Sequence, residues 1–430
     1  MPRSEQTRLR HLLTSLSSVI QLDGPLDDQF EISRQIVKAG INPILFRKPF
    51  GKQEDIAANL YASKSGVARC LNLQEKEVLR LLGRMVAKPT GEYVRADMGL
   101  FQEAKGLALP AFQYYRSDAG RYVTSSVLLA QDPDTEFVNM SVHRMLVLNE
   151  RRFVVRMVEG RHLHRIFTKN KERSEDTPIA VLVGCMPEVM IAACCQSAWG
   201  ETEMKLASAL AGGLLTVVEP PGLGFAIPAQ AEYLMTGTIS KDQVAPERQV
   251  DILGTLDSER RQPIVNVTGF FYKENPIYHA ILPGGYEHRV LMGMPRAAAI
   301  WTGLERRGIY VEDLSLTPGS GGWLHCVISI RKKSKTDGRE TILTALNSHG
   351  SVKGVVVVDD DVNPNEYEAV DFALATRLSN KGQLMYFEGL RGSTLDPSAD
   401  RESHATLKWG LDLTLEPGPD KSRFRKEHIV

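Results

Sequence analysis

The sequence predicts a three-part α/β plus β-barrel fold: an N-terminal α/β domain over 1–104, a central β-barrel domain over 105–295 and a C-terminal α/β domain over 296–430. Three observations carry it. The first hundred residues alternate helix and strand patterns. From about residue 105 the pattern becomes a run of strands broken by hairpin-type turns. Past residue 297 helices and apolar strands alternate again.

Within the first part, LRHLLTSLSSVI (9–20) has an amphipathic helical pattern, and DDQFEISRQIVKAG (27–40) suits a helix closed by Gly40. INPILFRKP reads as a short buried strand, while IAANLYASKSGVARCLN and LQEKEVLRLLGRMVA carry helical periodicity. These residues leave α/β and α+β equally open for this unit. In the middle part, three β-rich runs between 120 and 158 are separated by DPDTE and NERR. KNKERSEDTP (169–178) reads as a polar loop, and IAVLVGCMPEVMIAACC (179–195) as a strand, a turn and a buried helix. Further strands are expected at 213–219, 262–272 and 277–282, enough to close a barrel. In the last part, HCVISIRK is a strand and GVVVVDDDVN (354–363) an unbroken apolar run ending in acids. Four consecutive valines imply a strand covered on both faces, as in a parallel sheet with helices on either side.

Composition narrows the function classes. Lys plus Arg and Asp plus Glu are equal, at 52 each, so no charge excess points to nucleic acid or an anionic membrane. The longest apolar stretch is broken by Pro187 and Glu188, and no membrane span is expected. The five cysteines form no CxxC pair, which suits reduced thiols in a cytoplasmic protein. Walker, HExxH, nucleophile-elbow and dinucleotide signatures are absent.

Polar clusters occur in three places. In VNMSVHR (138–144), period two puts Asn139, Ser141 and His143 on one strand face and Arg144 on the other. EGRHLHR (159–165) follows closely. WGETEMKLASALAGG (199–213) looks like a helix with acids in its first turn, a placement that helix electrostatics alone would explain.

The chain resembles the UbiD family of prenylated-FMN-dependent decarboxylases over some 400 residues. The resemblance rests on an ordered set of segments: LDDQFEI, DAGRYVTSSVLLAQDPDTEFVNMSVHRM, PAQAEYLMTGTIS, NPIYHAILPGGYEHRVLMG, VVVVDDDVNPNEYEAVDFALATR, GSTLDPSA and WGLDLT. It implies a split β-barrel carrying prenylated FMN, and a homodimer or homohexamer assembled through the C-terminal domain. It also implies a flavin prenyltransferase as supplier of the cofactor. The substrate would be an aromatic, heteroaromatic or α,β-unsaturated carboxylic acid. By motif, Asn139, His162 and Glu203 fall on the metal triad that bridges to the flavin phosphate. Two oxygen ligands and one imidazole suit Mn²⁺ or Mg²⁺, with K⁺ as a further candidate cation. Arg144 falls on the active-site arginine and Arg161 beside the metal histidine. Ser141 and Val142 lie on the strand that passes the cofactor. Lys353 matches a basic position where a phosphate contact and a structural role are both open.

The family's proton donor comes from a motif of the type EGPFGExxGYY. Aligned on Pro263, Gly269 and Phe270-Phe271, its two acids fall on Arg261 and Asn266, neither of which can serve as a carboxylic acid. Three readings follow from that register. Glu259, His143, a thiol or water replaces the acid; or the chemistry differs, with Arg261 binding an anionic substrate; or the chain is a non-catalytic scaffold.

Overall fold

In the computed structural model, residues 8–16, 18–26, 29–51, 54–104, 109–416 and 422–424 are described. The proposed domain junction at 104/105 borders residues outside that set, as do the first two residues of the helix expected over 27–40. The chain divides into two compact units, residues 1–78 with 85–291, and residues 79–84 with 292–430.

The first unit is built around a closed barrel of six antiparallel strands. In spatial order these are Tyr233–Glu247, Thr177–Val183, Tyr122–Gln131, Val138–Val147, Arg152–Val155 and Arg260–Tyr272, and the last pairs back onto the first. Closure removes the free edges that an open sheet would present. The Tyr122–Gln131 strand is buried through Ala130, and Val123, Leu128, Val181, Met235 and Val265 join one core cluster. Each such side chain contributes roughly 1.5–3 kcal/mol relative to an exposed state. Two seams of the closing pair are irregular, at Thr236/Gly237 and Ile239/Val244. At the first, a Cβ on Gly237 would stand 2.1 Å from the Asn266 carbonyl oxygen, so only glycine allows the strands to meet there.

Three helices flank the barrel sequence: His162–Glu172, Pro187–Cys194 and Glu203–Leu210. Pro187 sits in the first turn, where its missing N–H is harmless. Thr202 caps the third helix by accepting from the Met204 N–H. The polar 169–178 segment is thus partly helix, because Leu163, Ile166, Phe167 and Asn170 form a buried face that the charged residues after Thr168 conceal. The first unit also holds a four-stranded sheet, ordered Ile20–Asp23, Ile44–Arg47, Asp55–Ala58 and Ile277–His279. Here the helical pattern expected over IAANLYASKSGVARCLN gives way. Asp55–Ala58 is a strand, Asn59 takes φ +57°, and only Lys64–Cys70 is helix. Parallel pairing with Ile277–His279 overrides local propensity. The N-terminal amphipathic helix is likewise short, Leu9–Ser15, because Ile20 already begins a strand.

The second unit carries a five-stranded sheet, ordered Val311–Leu316, His325–Ile330, Gly354–Asp359, Ala405–Asp412 and Leu384–Arg391. Its three inner strands are parallel and the edge pairs antiparallel. The valine run lies at the centre and is buried at five of six positions. The acids that follow it anchor the helix Tyr367–Arg377, since Arg377 reaches Asp359 at 3.2 Å and Asp361 at 2.9 Å.

Candidate active site

The Val138–Val147 strand places Asn139, Ser141 and His143 in one hydrogen-bonded row, as period two requires. Asn139 Nδ2 donates to Ser141 Oγ at 2.8 Å, Ser141 Oγ lies 2.9 Å from His143 Nε2, and His143 Nδ1 is 2.9 Å from the Arg156 carbonyl oxygen. Burial lowers the His143 imidazole to about 4, so the ring is neutral near pH 7. That removes it as a proton donor.

Glu203 stands at the start of its helix and is 2% exposed. Its carboxyl oxygens accept from the backbone N–H groups of Met140, at 3.0 Å, and Ser197, at 3.4 Å. Burial raises the group to about 7, against which these neutral donors pull only in part. His162 Nδ1 lies 3.9 Å from Glu203 Oε1. The imidazole packs edge-on against Trp199 and Phe137, and burial, then Arg165 and Arg161, lower it from its usual range. The structure therefore gathers the buried Glu203 carboxyl, the His162 imidazole and, next to the Met140 donor, Asn139. Among the described residues, Ser197 Oγ is buried without a hydrogen-bond partner. A buried carboxylate with no cation and an orphaned hydroxyl fit a divalent metal and an oxyanion. Arg161, exposed, precedes the His162 helix and bonds Gln196; Val142 and Ser141 are half-buried. Lys353 belongs to the second unit, where its ammonium pairs with Asp396 at 2.9 Å and bonds Ser398.

On the other face of the same strand, Arg144 pairs with two carboxylates. Its Nε donates to Glu247 Oε1 at 2.8 Å and an η nitrogen donates to Oε2 at 2.9 Å. Tyr122 Oη donates to Glu247 as well, at 2.9 Å, and Asp257 accepts from Arg144 at 3.2 Å. For Asp257 burial raises the carboxyl, but Arg260 and Arg144 together bring it below its usual value. Asp251, four residues after Glu247, is 7% exposed and raised by burial despite donors from Leu253 and Thr255.

Among the described residues, no hydrogen bond or ion pair joins Arg144 to Arg261 or Asn266, the positions on which that register put the family acids. Arg261 is exposed, pairing with Pro246 across the sheet. Asn266 pairs with Arg152 and Thr238, four residues beyond Gln262, or roughly 13 Å along the strand. Glu259 is exposed. The acids that contact Arg144 are Glu247 and Asp257. Glu247 opens the segment ERQVDILGT (247–255), in which Asp251 follows four residues later and Gly254 three after that. Against the family pattern, this segment has Arg248 and Gln249 in place of Gly-Pro and an acid spacing one residue short. An acid followed by a second acid and a glycine at the end of a long strand was the available signal.

Residues 99–286 match the 3-octaprenyl-4-hydroxybenzoate carboxy-lyase Rift-related domain, and residues 289–413 the C-terminal domain of the same carboxy-lyase. Anhydromevalonate phosphate decarboxylase of Methanocaldococcus jannaschii is 33% identical, covering 98% of this chain and 99% of that protein. The protein of the same name from Aeropyrum pernix is 35% identical over 94% of this chain and 92% of its own. The UbiD-class enzyme HmfF from Pelotomaculum thermopropionicum, solved in complex with FMN, superposes with a TM-score of 0.91 at 27% identity, covering 99% and 97% of the two chains. Barrel, site and relatives define a carboxy-lyase. The chain belongs to the UbiD family. Among the described residues no helix is long and apolar enough to cross a membrane.

Proposed function

We propose that this decarboxylase acts on an α,β-unsaturated acid carrying a phosphate ester, with anhydromevalonate phosphate as the specific substrate. The relatives with 33–35% identity bear that name, and a dehydrated mevalonate is by its chemistry an unsaturated carboxylic acid. In this reading the cofactor is prenylated FMN, supplied by a flavin prenyltransferase. Asn139, His162 and Glu203 hold Mn²⁺ or Mg²⁺ against its phosphate, with the Ser197 hydroxyl as a further donor. When bound, the modified flavin supplies the electron sink for the carbon that loses CO₂.

The chain's own residues supply position and a proton. Arg144 is fixed by Glu247 and Asp257, so its guanidinium is held rigid beside the reacting group. Glu247 is already the acceptor of three hydrogen bonds and is committed to that role. Asp251 is the proton donor in this reading. It is buried, raised by desolvation, and free of any guanidinium partner among the described residues. The observation that supports the function best is the Arg144–Glu247 pair, with Arg144 on the strand that also carries Asn139 and Glu247 at the end of the Tyr233–Glu247 strand.

The test is direct. The protein is co-expressed with a flavin prenyltransferase, purified with manganese, and assayed for CO₂ release from anhydromevalonate phosphate. Flavin absorbance and CO₂ release are expected together. Retained flavin with no CO₂ from this acid would remove the substrate assignment, and loss of all flavin would remove the cofactor assignment.

A further inference from the structure

The Arg144 side of the barrel carries more cationic groups than the neighbouring carboxylates engage. Arg144, Arg156 and Arg260 stand on three adjoining segments. The Arg156 N–H donates to the Arg144 carbonyl oxygen at 3.1 Å. The pairing Ile264 with Val154, carried two residues further, brings Gln262 level with Arg156, and Gln262 Oε1 accepts from the Met157 N–H at 2.9 Å. Arg260 opens that strand directly opposite Glu247.

The carboxylates are not shared evenly. Glu247 takes Arg144 twice, and Asp257 bridges Arg144 at 3.2 Å and Arg260 at 2.6 Å. Arg156 has neither. Among the described residues its guanidinium donates only to the Met157 carbonyl oxygen. It is half-buried, and desolvation followed by the charges of Arg260 and Arg144 destabilises its cationic form, with Asp257 and Glu247 opposing too weakly to reverse this. A partly desolvated guanidinium facing two others is a costly arrangement for a site meant to stay empty. An incoming anion would relieve it.

We propose that Arg156, assisted by Arg260, binds the phosphate of the substrate, while Arg144 stays with Glu247. The proposal rests on the phosphorylated-acid reading above and gives it a specificity residue. A planar guanidinium with unused donors matches a phosphate monoester in geometry and charge. The same chemistry could instead take the substrate's carboxylate, and the test separates the two ends.

Cofactor-loaded wild type, Arg156→Gln and Arg156→Lys are titrated calorimetrically with two unreactive probes. These are the saturated analogue of anhydromevalonate phosphate and the same compound without its phosphate. Wild type is expected to prefer the phosphorylated probe. Arg156→Gln should lose about 10- to 100-fold affinity for it, the worth of a charge-assisted hydrogen bond, and keep its affinity for the other. Arg156→Lys should restore part of the preference. An unchanged preference in Arg156→Gln overturns the proposal. So does an equal loss for both probes, which would mark a carboxylate or positional role. If wild type binds with this Arg156-dependent preference but releases no CO₂ from anhydromevalonate phosphate, the substrate reading fails while the arginine anion site stands.

Discussion

Arg144 and Glu247, 103 residues apart in sequence, are joined by two parallel hydrogen bonds of 2.8 and 2.9 Å inside the barrel, with the Glu247 side chain closed to solvent. Removing one member leaves the other charge buried and unmatched. Glu247→Gln should lower kcat for CO₂ release by about 100-fold or more and destabilise the first unit by roughly 3–5 kcal/mol. Arg144→Lys keeps the charge and loses the fork, so activity should fall with a smaller loss of stability. Arg261→Ala, at an exposed position, should change stability by no more than about 0.5 kcal/mol and leave kcat near wild type. Steady-state CO₂ assays with denaturant unfolding check all three.

Asp251 sets a pH dependence. A donor must be protonated, so kcat should fall as pH rises through its value. Because burial raises Asp251 above the usual carboxyl range, that limb should lie at higher pH than for an exposed aspartate. Asp251→Asn should lose most of the activity and the limb together. A kcat profile between about pH 4 and 9 measures it. A falling limb that survives in Asp251→Asn would move the proton elsewhere.

In the proposed reading a cation stabilises the Glu203 carboxylate, which the described residues hold through the Met140 and Ser197 N–H groups. Mn²⁺ should raise the unfolding temperature of wild type, and Glu203→Gln should abolish that response. In metal-free protein at pH 8, Glu203→Gln should be at least as stable as wild type, since it removes a buried uncompensated charge. Differential scanning calorimetry with and without chelator makes the comparison.

Barrel closure depends on the Gly237 seam. Gly237→Ala would force a Cβ against the Asn266 carbonyl and the Val267 Cα, backbone atoms that cannot turn away. A loss of about 1–3 kcal/mol or more is expected, with weaker amide protection along both closing strands by hydrogen exchange.

Much of the fold was legible in the sequence. The hairpins around DPDTE and NERR, the strand–turn–helix of 179–195 and the doubly covered valine strand follow from periodicity and turn residues. The strand at Asp55–Ala58 was not legible, because it lies between two neighbours, Ile44–Arg47 nearby and Ile277–His279 more than two hundred residues away, and its own residues carry a helical pattern. The helix hidden in KNKERSEDTP escaped because its charged face follows its buried one in the chain. At the site, Asn139, His162 and Glu203 were singled out through the family resemblance, because helix electrostatics alone would explain the acids of the 199–213 segment. In the proposed reading Glu247 and Asp251 stand for the motif's acids, obscured in the sequence by altered spacing and Arg248-Gln249 while Gly269-Phe270-Phe271 in a neighbouring strand imitates the motif's end. Only the contact with Arg144 tells the two segments apart.

The central claim is that the Arg144–Glu247 pair and Asp251 serve decarboxylation of a phosphorylated unsaturated acid. The most direct measurement is turnover of anhydromevalonate phosphate by cofactor-loaded protein in deuterated water, comparing wild type with Asp251→Asn. The account predicts CO₂ release by wild type with one deuterium placed on the carbon that lost its carboxylate, and loss of that product in the variant. Wild-type turnover matched by Asp251→Asn, with equal deuterium incorporation, would contradict it.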